Sequence, residues 1–226
     1  MIYPIFLSIK VSIIATVINF IIAISLARFF LIKNFSGKEI LETFFCLPLV
    51  LPPTVTGFIL LVLIGRNGPI GFLIKKIFNG QLLFTWWAAV IASSIVAFPL
   101  MYKSAKAAFE SVDIKQERAA RILGANEFRV LCTVTMPLAW PGILSGIVLS
   151  FARAIGEFGA TLMIAGNIPG KTQTMPIAIY FAAEGGDYKT AGYFVIVILL
   201  LSFGLIYYIN WISKKKILHY TEKERK

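Results

Sequence analysis

Two groups of charged residues stand out in a chain that is otherwise mostly apolar. Arg153 and Glu157 sit four residues apart inside "FARAIGEFGATLMIAG", surrounded by Phe, Ala, Ile, Leu and Met. Opposite charges at this spacing in an apolar helix can neutralise one another across one turn, fixing helix packing or a closed gate. They can equally line a path for a charged solute, with Arg153 facing an anion in transit. Both readings stay open on the residues alone. The second group lies in "QERAARILGANEFRVLCTVTMP" (Gln116 to Pro137), where Glu117, Arg118, Arg121, Glu127 and Arg129 surround Ala119, Ala120 and Gly124. Its chemistry is that of a contact surface. No catalytic constellation is expected: Cys46 and Cys132 lie far apart in apolar context, and His219 is alone in a charged tail. There is no Cys/His cluster for a metal and no Ser/His/Asp grouping. A phosphate-cradling GxxxxGK[ST] loop is also missing, so any energy for work must come from a partner or a gradient. The chain reads as a non-enzyme with no cofactor or metal of its own.

The elements that position these residues follow from composition. Of 226 residues 58% are hydrophobic, and the mean hydropathy is +0.81, which identifies an all-α integral membrane protein. The net charge of +11 on only 15% charged residues fits basic loops on the inner side of a bilayer, not nucleic-acid binding. Five segments are long and apolar enough to span: about 5–30, 41–65, 85–107, 138–165 and 189–212. In the first, about 17 apolar or small residues separate Lys10 from Arg28, more than a signal peptide needs, so it reads as a retained span. With the N-terminus outside, fifteen Lys and Arg fall on inner segments and five on outer loops, the remaining two being Lys10 and Arg153 within spans. That bias predicts N-terminus out, C-terminus in, and Ala108–Pro137 in the cytoplasm. The chain reads as a single transmembrane domain over 1–226.

Smaller signals refine this picture. Pro48, Pro52 and Pro53 predict a kinked or broken second span, either for packing or to line a pathway. Lys10 is placed to snorkel to the outer interface, and Trp86, Trp87 and Trp211 to form an aromatic belt. "SKKKILHY" (Ser213 to Tyr220) reads as an inside anchor. The segment 171–186 is too short for a sixth span and reads as an outer turn with a short or re-entrant helix.

Within the polar stretch, Asp113 with Gln116 three residues later is an N-cap and capping-box variant. Ile114–Leu123 tolerates helix throughout. Gly124 can take the left-handed conformation that ends a helix, and Asn126 can cap a second one. Pro137 marks where that segment meets the next span. A helix-turn-helix is therefore expected along the cytoplasmic face. Ala120 and Gly124 share one edge, with Ala119 beside them, and small residues there admit close approach of another backbone. The alternative is an amphipathic helix lying on lipid headgroups, against which the apolar face is small and interrupted.

These residues carry a resemblance. The stretch is similar to the cytoplasmic loop of type I ABC importer permeases: Glu-Ala-Ala, three residues, Gly, nine residues, then Ile-x-Leu-Pro. Ala119, Ala120, Gly124, Val134, Met136 and Pro137 stand at those spacings. One departure is that Arg118 occupies the Glu position, with Glu117 just before it. "LPLVLPPTVTGFILLVLIGRNGPIG" (Leu47 to Gly71) and "FARAIGEFGATLMIAGNIPGKTQTMPIAIY" (Phe151 to Tyr180) extend the likeness over nearly the whole chain. Those segments resemble the molybdate branch more than the sulfate branch.

The resemblance implies a permease subunit of an ATP-driven molybdate importer, with tungstate as a further substrate, in the cytoplasmic (inner) membrane. It implies a homodimer of permeases, two cytosolic ABC ATPase subunits that bind the ATP, and an extracytoplasmic oxyanion-binding protein. It assigns Glu117, Arg118, Ala119, Ala120, Gly124 and Pro137 to the ATPase-coupling loop. Arg153 and Glu157 remain candidates for the translocation path or gate. The rival functions are a sulfate or thiosulfate importer permease and a self-sufficient carrier or channel.

Overall fold

The computed structural model describes residues 2–33, 35–78 and 81–224, and these are helical with no strand among them. Arg225 and Lys226, counted above as inner charges, lie outside the described residues, as do the side chains of Trp211 and of the run Ser213–Tyr220.

Three long helices make the centre: α1 (Ile2–Ile32), α5 (Trp86–Glu110) and α8 (Met136–Ile155). They approach closely because the facing residues are small. Ala15, Ala97 and Ala154 meet with almost no exposure. A Cβ added to Gly142 or Gly146 of α8 would come within 2.7 Å of Ala108 or Ser104 on α5, so bulk there would push the helices apart. At mid-depth the Asn19 side chain donates to the Ser94 carbonyl (3.0 Å) and the Ser150 hydroxyl (3.2 Å), joining all three helices. Apolar layers continue on either side of this tie. One holds Leu7, Val11, Val90 and Val96, and the other holds Ala27, Met101, Tyr102 and Ile143.

The second predicted span is broken, as its prolines predict, and the fourth departs from its predicted bounds. The second is not a straight crossing: α2 (Lys38–Val50) and α3 (Pro53–Ile64) meet at 117°. Leu51 and Pro52 are extended, with ψ of 139° and 137°. A residue before proline is driven from the helical region, and consecutive prolines extend that constraint. The fourth predicted span, 138–165, starts earlier and stops sooner. Helix runs from α7 (Glu127–Val130) through a π-helical turn (Leu131–Thr135) into α8, which ends at Ile155. After a break, the short α9 (Gly159–Ala165) packs against α3, where a Cβ on Gly57 would lie 2.8 Å from the Ala160 Cα. Arg153 and Glu157 therefore do not share one continuous helix face.

The remaining pieces are α4 (Pro69–Phe78), α6 (Ile114–Ile122), α10 (Met175–Glu184) and α11 (Tyr188–Glu224). Among the described residues four helices are long and apolar enough to cross a bilayer, five if the bent α2–α3 pair counts as one span. Helix α10 has 10 residues, too few to cross. It is held to α1 by the Met175 N–H donating to the Ser8 hydroxyl (2.7 Å). Lys10, expected to snorkel, places its ammonium 3.6 Å from the centre of the Trp86 ring, a cation–π contact.

Candidate functional site

The segment between α5 and α8 folds as its residues dictate. Asp113 caps α6 by accepting from the Lys115 N–H (2.9 Å), while the Gln116 N–H donates to the Asp113 carbonyl (3.0 Å). Helix α6 ends at Gly124, whose φ of +84° is left-handed. The Gly124 N–H donates to the Arg121 carbonyl and the Ala125 N–H to the Ala120 carbonyl, the paired bonds of a Schellman turn. Asn126 then caps α7 by accepting from the Arg129 N–H (2.8 Å). Pro137 follows the π turn at the start of α8. Having no N–H and needing room for its ring, it favours a loosened preceding turn.

This helix-turn-helix has two distinct sides. Outward, Ile122, Leu123 and Phe128 are 85%, 88% and 75% exposed, and Ile114 joins them. Arg118 and Ala119 are also exposed, Ala120 is half-buried, and nothing lies within 4 Å of a Cβ built on Gly124. Inward, Glu117 is buried and its carboxylate is the centre of an ion network. Oε1 accepts from Arg28 of α1 (2.8 Å) and from the Thr135 hydroxyl (2.6 Å), and Oε2 accepts from Arg121 (3.1 Å). Arg121 also donates to both oxygens of Glu127 (2.6 and 3.1 Å), and Arg28 lies 3.6 Å from Glu127. Burial pushes the Glu117 carboxyl up, but the hydrogen bonds from Arg28, Thr135 and Arg121 outweigh it and hold the group below the usual carboxylate range. Arg121 is shifted upward, first by its bonds to Glu127 and against its own desolvation.

Of the residues singled out from sequence, Gly124, Ala119 and Arg118 lie on the outer side of this element, and Glu117 lies behind it. At the Glu position of the family spacing, Arg118 points to the surface, and the carboxylate one residue earlier reaches the interior. Arg28 and Thr135 were missed. Arg28 read only as an inner charge ending an apolar run, and Thr135 reaches Glu117 because the π turn aims it there. No local spacing signals either.

Arg153 and Glu157 are brought together across the break after α8. Arg153 Nη1 lies 2.8 Å from Glu157 Oε2, a close ion pair without hydrogen-bond alignment. Glu157 Oε1 accepts from the Ala160 N–H (2.9 Å). The Glu157 side chain is 1% exposed and that of Arg153 is 30% exposed. Beside them, a Cβ on Gly159 would lie 3.2 Å from Pro53, so the break after α8 abuts the elbow of α2–α3. A separate cleft of about 660 Å³ opens between α2 and α5, where Lys106 lies 2.5 Å from Glu42 and 4.0 Å from Glu110.

Known proteins are similar to this chain over most of its length. Residues 5–211 match the family described as "Binding-protein-dependent transport system inner membrane component". The permease protein YvgM of Bacillus subtilis is 48% identical over 207 residues, covering 92% of this chain and 91% of that one. The molybdenum transport system permease protein ModB of Haemophilus influenzae is 42% identical over 211 residues, 92% of each chain. The sulfate transport system permease protein CysW of Escherichia coli is 32% identical over 206 residues, 91% of this chain and 70% of that one. A chain of the inward-facing methionine ABC transporter MetNI superposes with a TM-score of 0.74 over 95% of both chains at 12% identity, a likeness of fold alone. The all-helical bundle, its broken spans and the match over nearly its whole length place this chain in the family of binding-protein-dependent transport system inner membrane components.

Proposed function

We propose that the chain is the permease subunit of an ATP-driven importer that carries molybdate, and tungstate with it, across the cytoplasmic membrane. The observation that carries this reading is the helix-turn-helix at 113–130. Its apolar residues Ile122, Leu123 and Phe128 face outward, while the buried carboxylate of Glu117 fastens it to α1 and to the start of α8. So apolar a tip on a rigid polar base is a surface for another protein to cover. A cytosolic ABC ATPase is that partner in this reading, and ATP is bound there. The network supplies the mechanical link: a push on α6 reaches α1 through Arg28 and α8 through Thr135, so the spans move as bodies.

Orientation follows from charge. The end of the molecule bearing α6 also carries Lys38, Lys103, Lys106, Arg118 and Arg129, and is the cytoplasmic end. The opposite end, with α4, α10 and the turn 166–174, faces the extracytoplasmic binding protein. Two copies of the chain pair around the path. Of the two substrate readings, molybdate is favoured because the molybdenum-named relative is the more similar, at 42% against 32% for the sulfate-named one.

The test is uptake into proteoliposomes holding the permease, its ATPase and its binding protein. Molybdate accumulation that needs ATP and the binding protein, and that excess sulfate does not abolish, is the expected result. Uptake of sulfate instead would move the chain to the rival branch. Uptake without ATPase would make it a carrier. Gly124→Val should insert normally yet transport poorly, because a β-branched residue is strained at φ +84° and adds bulk to the docking side.

A further inference from the structure

The Arg153–Glu157 pair has features that a purely structural pair lacks. Its arginine is 30% exposed although it lies within the apolar part of the chain, one turn beyond Ser150 of the mid-depth tie. A guanidinium at such depth does not face lipid, so its open side faces water or a second copy. Its carboxylate is fully buried, but has only one N–H as an aligned hydrogen-bond donor, and touches the arginine without hydrogen-bond alignment. Glu157 also lies outside regular helix, between Ile155 and Gly159, where a backbone change costs few hydrogen bonds. The elbow at Pro52–Pro53 abuts the same place, so two interrupted spans meet beside the pair. Interrupted spans meeting at depth are where transporters expose charge to their substrates.

We infer that Arg153 is a transit site for a tetrahedral oxyanion, and that Glu157 is its built-in competitor. This deepens the proposed function and rests on it for the direction of transport. With the path empty, the Glu157 carboxylate neutralises Arg153, so no bare charge is left within the bilayer. An arriving dianion takes over the guanidinium, and Glu157 stays on the Ala160 N–H. When the anion moves on, the carboxylate returns. Competition keeps the anion weakly held, which a conducting site requires, since an uncontested buried arginine would trap it.

The experiment uses the whole complex in detergent without the binding protein, and measures sodium molybdate binding by equilibrium dialysis. Glu157→Gln keeps an acceptor for the Ala160 N–H and removes the competing charge. Binding should tighten by about tenfold or more, the reciprocal of the fraction of time Arg153 is free, while ATP-driven uptake falls through slow release. Arg153→Gln/Glu157→Gln restores neutrality and should assemble with the ATPase but neither bind molybdate nor transport it. Unchanged affinity of Glu157→Gln for both molybdate and sulfate, or uptake by the double variant within about twofold of the parent, would overturn the inference and leave a packing pair. If the double variant fails to assemble, the Glu157→Gln affinity decides alone. A sulfate arm separates the two levels: tightening for sulfate but not molybdate keeps the transit site and overturns the substrate reading.

Discussion

Glu117–Arg121 and Arg153–Glu157 are the same pair on paper: one glutamate, one arginine, four residues apart. The fold makes them opposites. Glu117 lies in a continuous helix and has three partners: Arg121 one turn along that helix, Arg28 on α1 and Thr135 on the π turn. Glu157 lies past the end of a helix, with one arginine and one N–H. A carboxylate held by several aligned donors is a fixed joint, because moving it leaves several charges or dipoles unsatisfied at once. A carboxylate with one unaligned partner can be displaced by another anion. Spacing identifies a pair, while the number of donors around it decides whether it is a strut or a switch.

The sharpest way to break the first half of this contrast is Glu117→Ala. It leaves Arg28 and Thr135 facing an empty place in a buried setting, and should cost about 3 kcal/mol. The expected result is a clearly lowered melting temperature of the detergent-purified permease. Melting within a degree or two of the parent would mean that the network is ornamental. Thr135→Val removes one neutral donor to the same carboxylate, and should cost about 1.5 kcal/mol by the same assay. Glu127→Ala removes only a 58% exposed partner of Arg121, and should cost about 0.5 kcal/mol or less.

Acid sharpens the same point. A carboxyl lowered in the folded state stabilises the fold above its unfolded pKa, near 4.5, and loses that contribution as pH falls through the lower folded value. This group should therefore leave melting flat from neutral pH to about 5, and then add a decline that Glu117→Gln abolishes. A parent and variant with parallel pH profiles would deny the network its role.

How much of this was legible in the sequence depends on how local the cause was. The caps at Asp113 and Asn126 and the turn at Gly124 act over three or four residues, and each lies where the residue types place it. The elbow at Pro52–Pro53 was legible as a break but not as a 117° bend, whose size is set by what α2 and α3 pack against. The end of α8 at Ile155 was hidden, since "RAIGEFGAT" stays helix-tolerant apart from its glycines, and α9 docks against Gly57 far away in sequence. Arg28 and Thr135 could not be read as partners of Glu117 at all. They lie 89 and 18 residues from it, and only the bundle and the π turn bring them there.

The proposed function puts the entry of ATP's work into the membrane bundle at the outward face of 113–130. The most direct measurement is the amount of ATPase that co-purifies with Ile122→Asp/Leu123→Asp permease relative to the parent at equal permease. Both residues are more than four-fifths exposed and make no part of the core, so the fold should stand, as an unchanged melting temperature would register. The ATPase should be lost by about tenfold or more, as expected when charge replaces apolar anchors at an interface centre. Full ATPase recovery on the doubly substituted permease would contradict it.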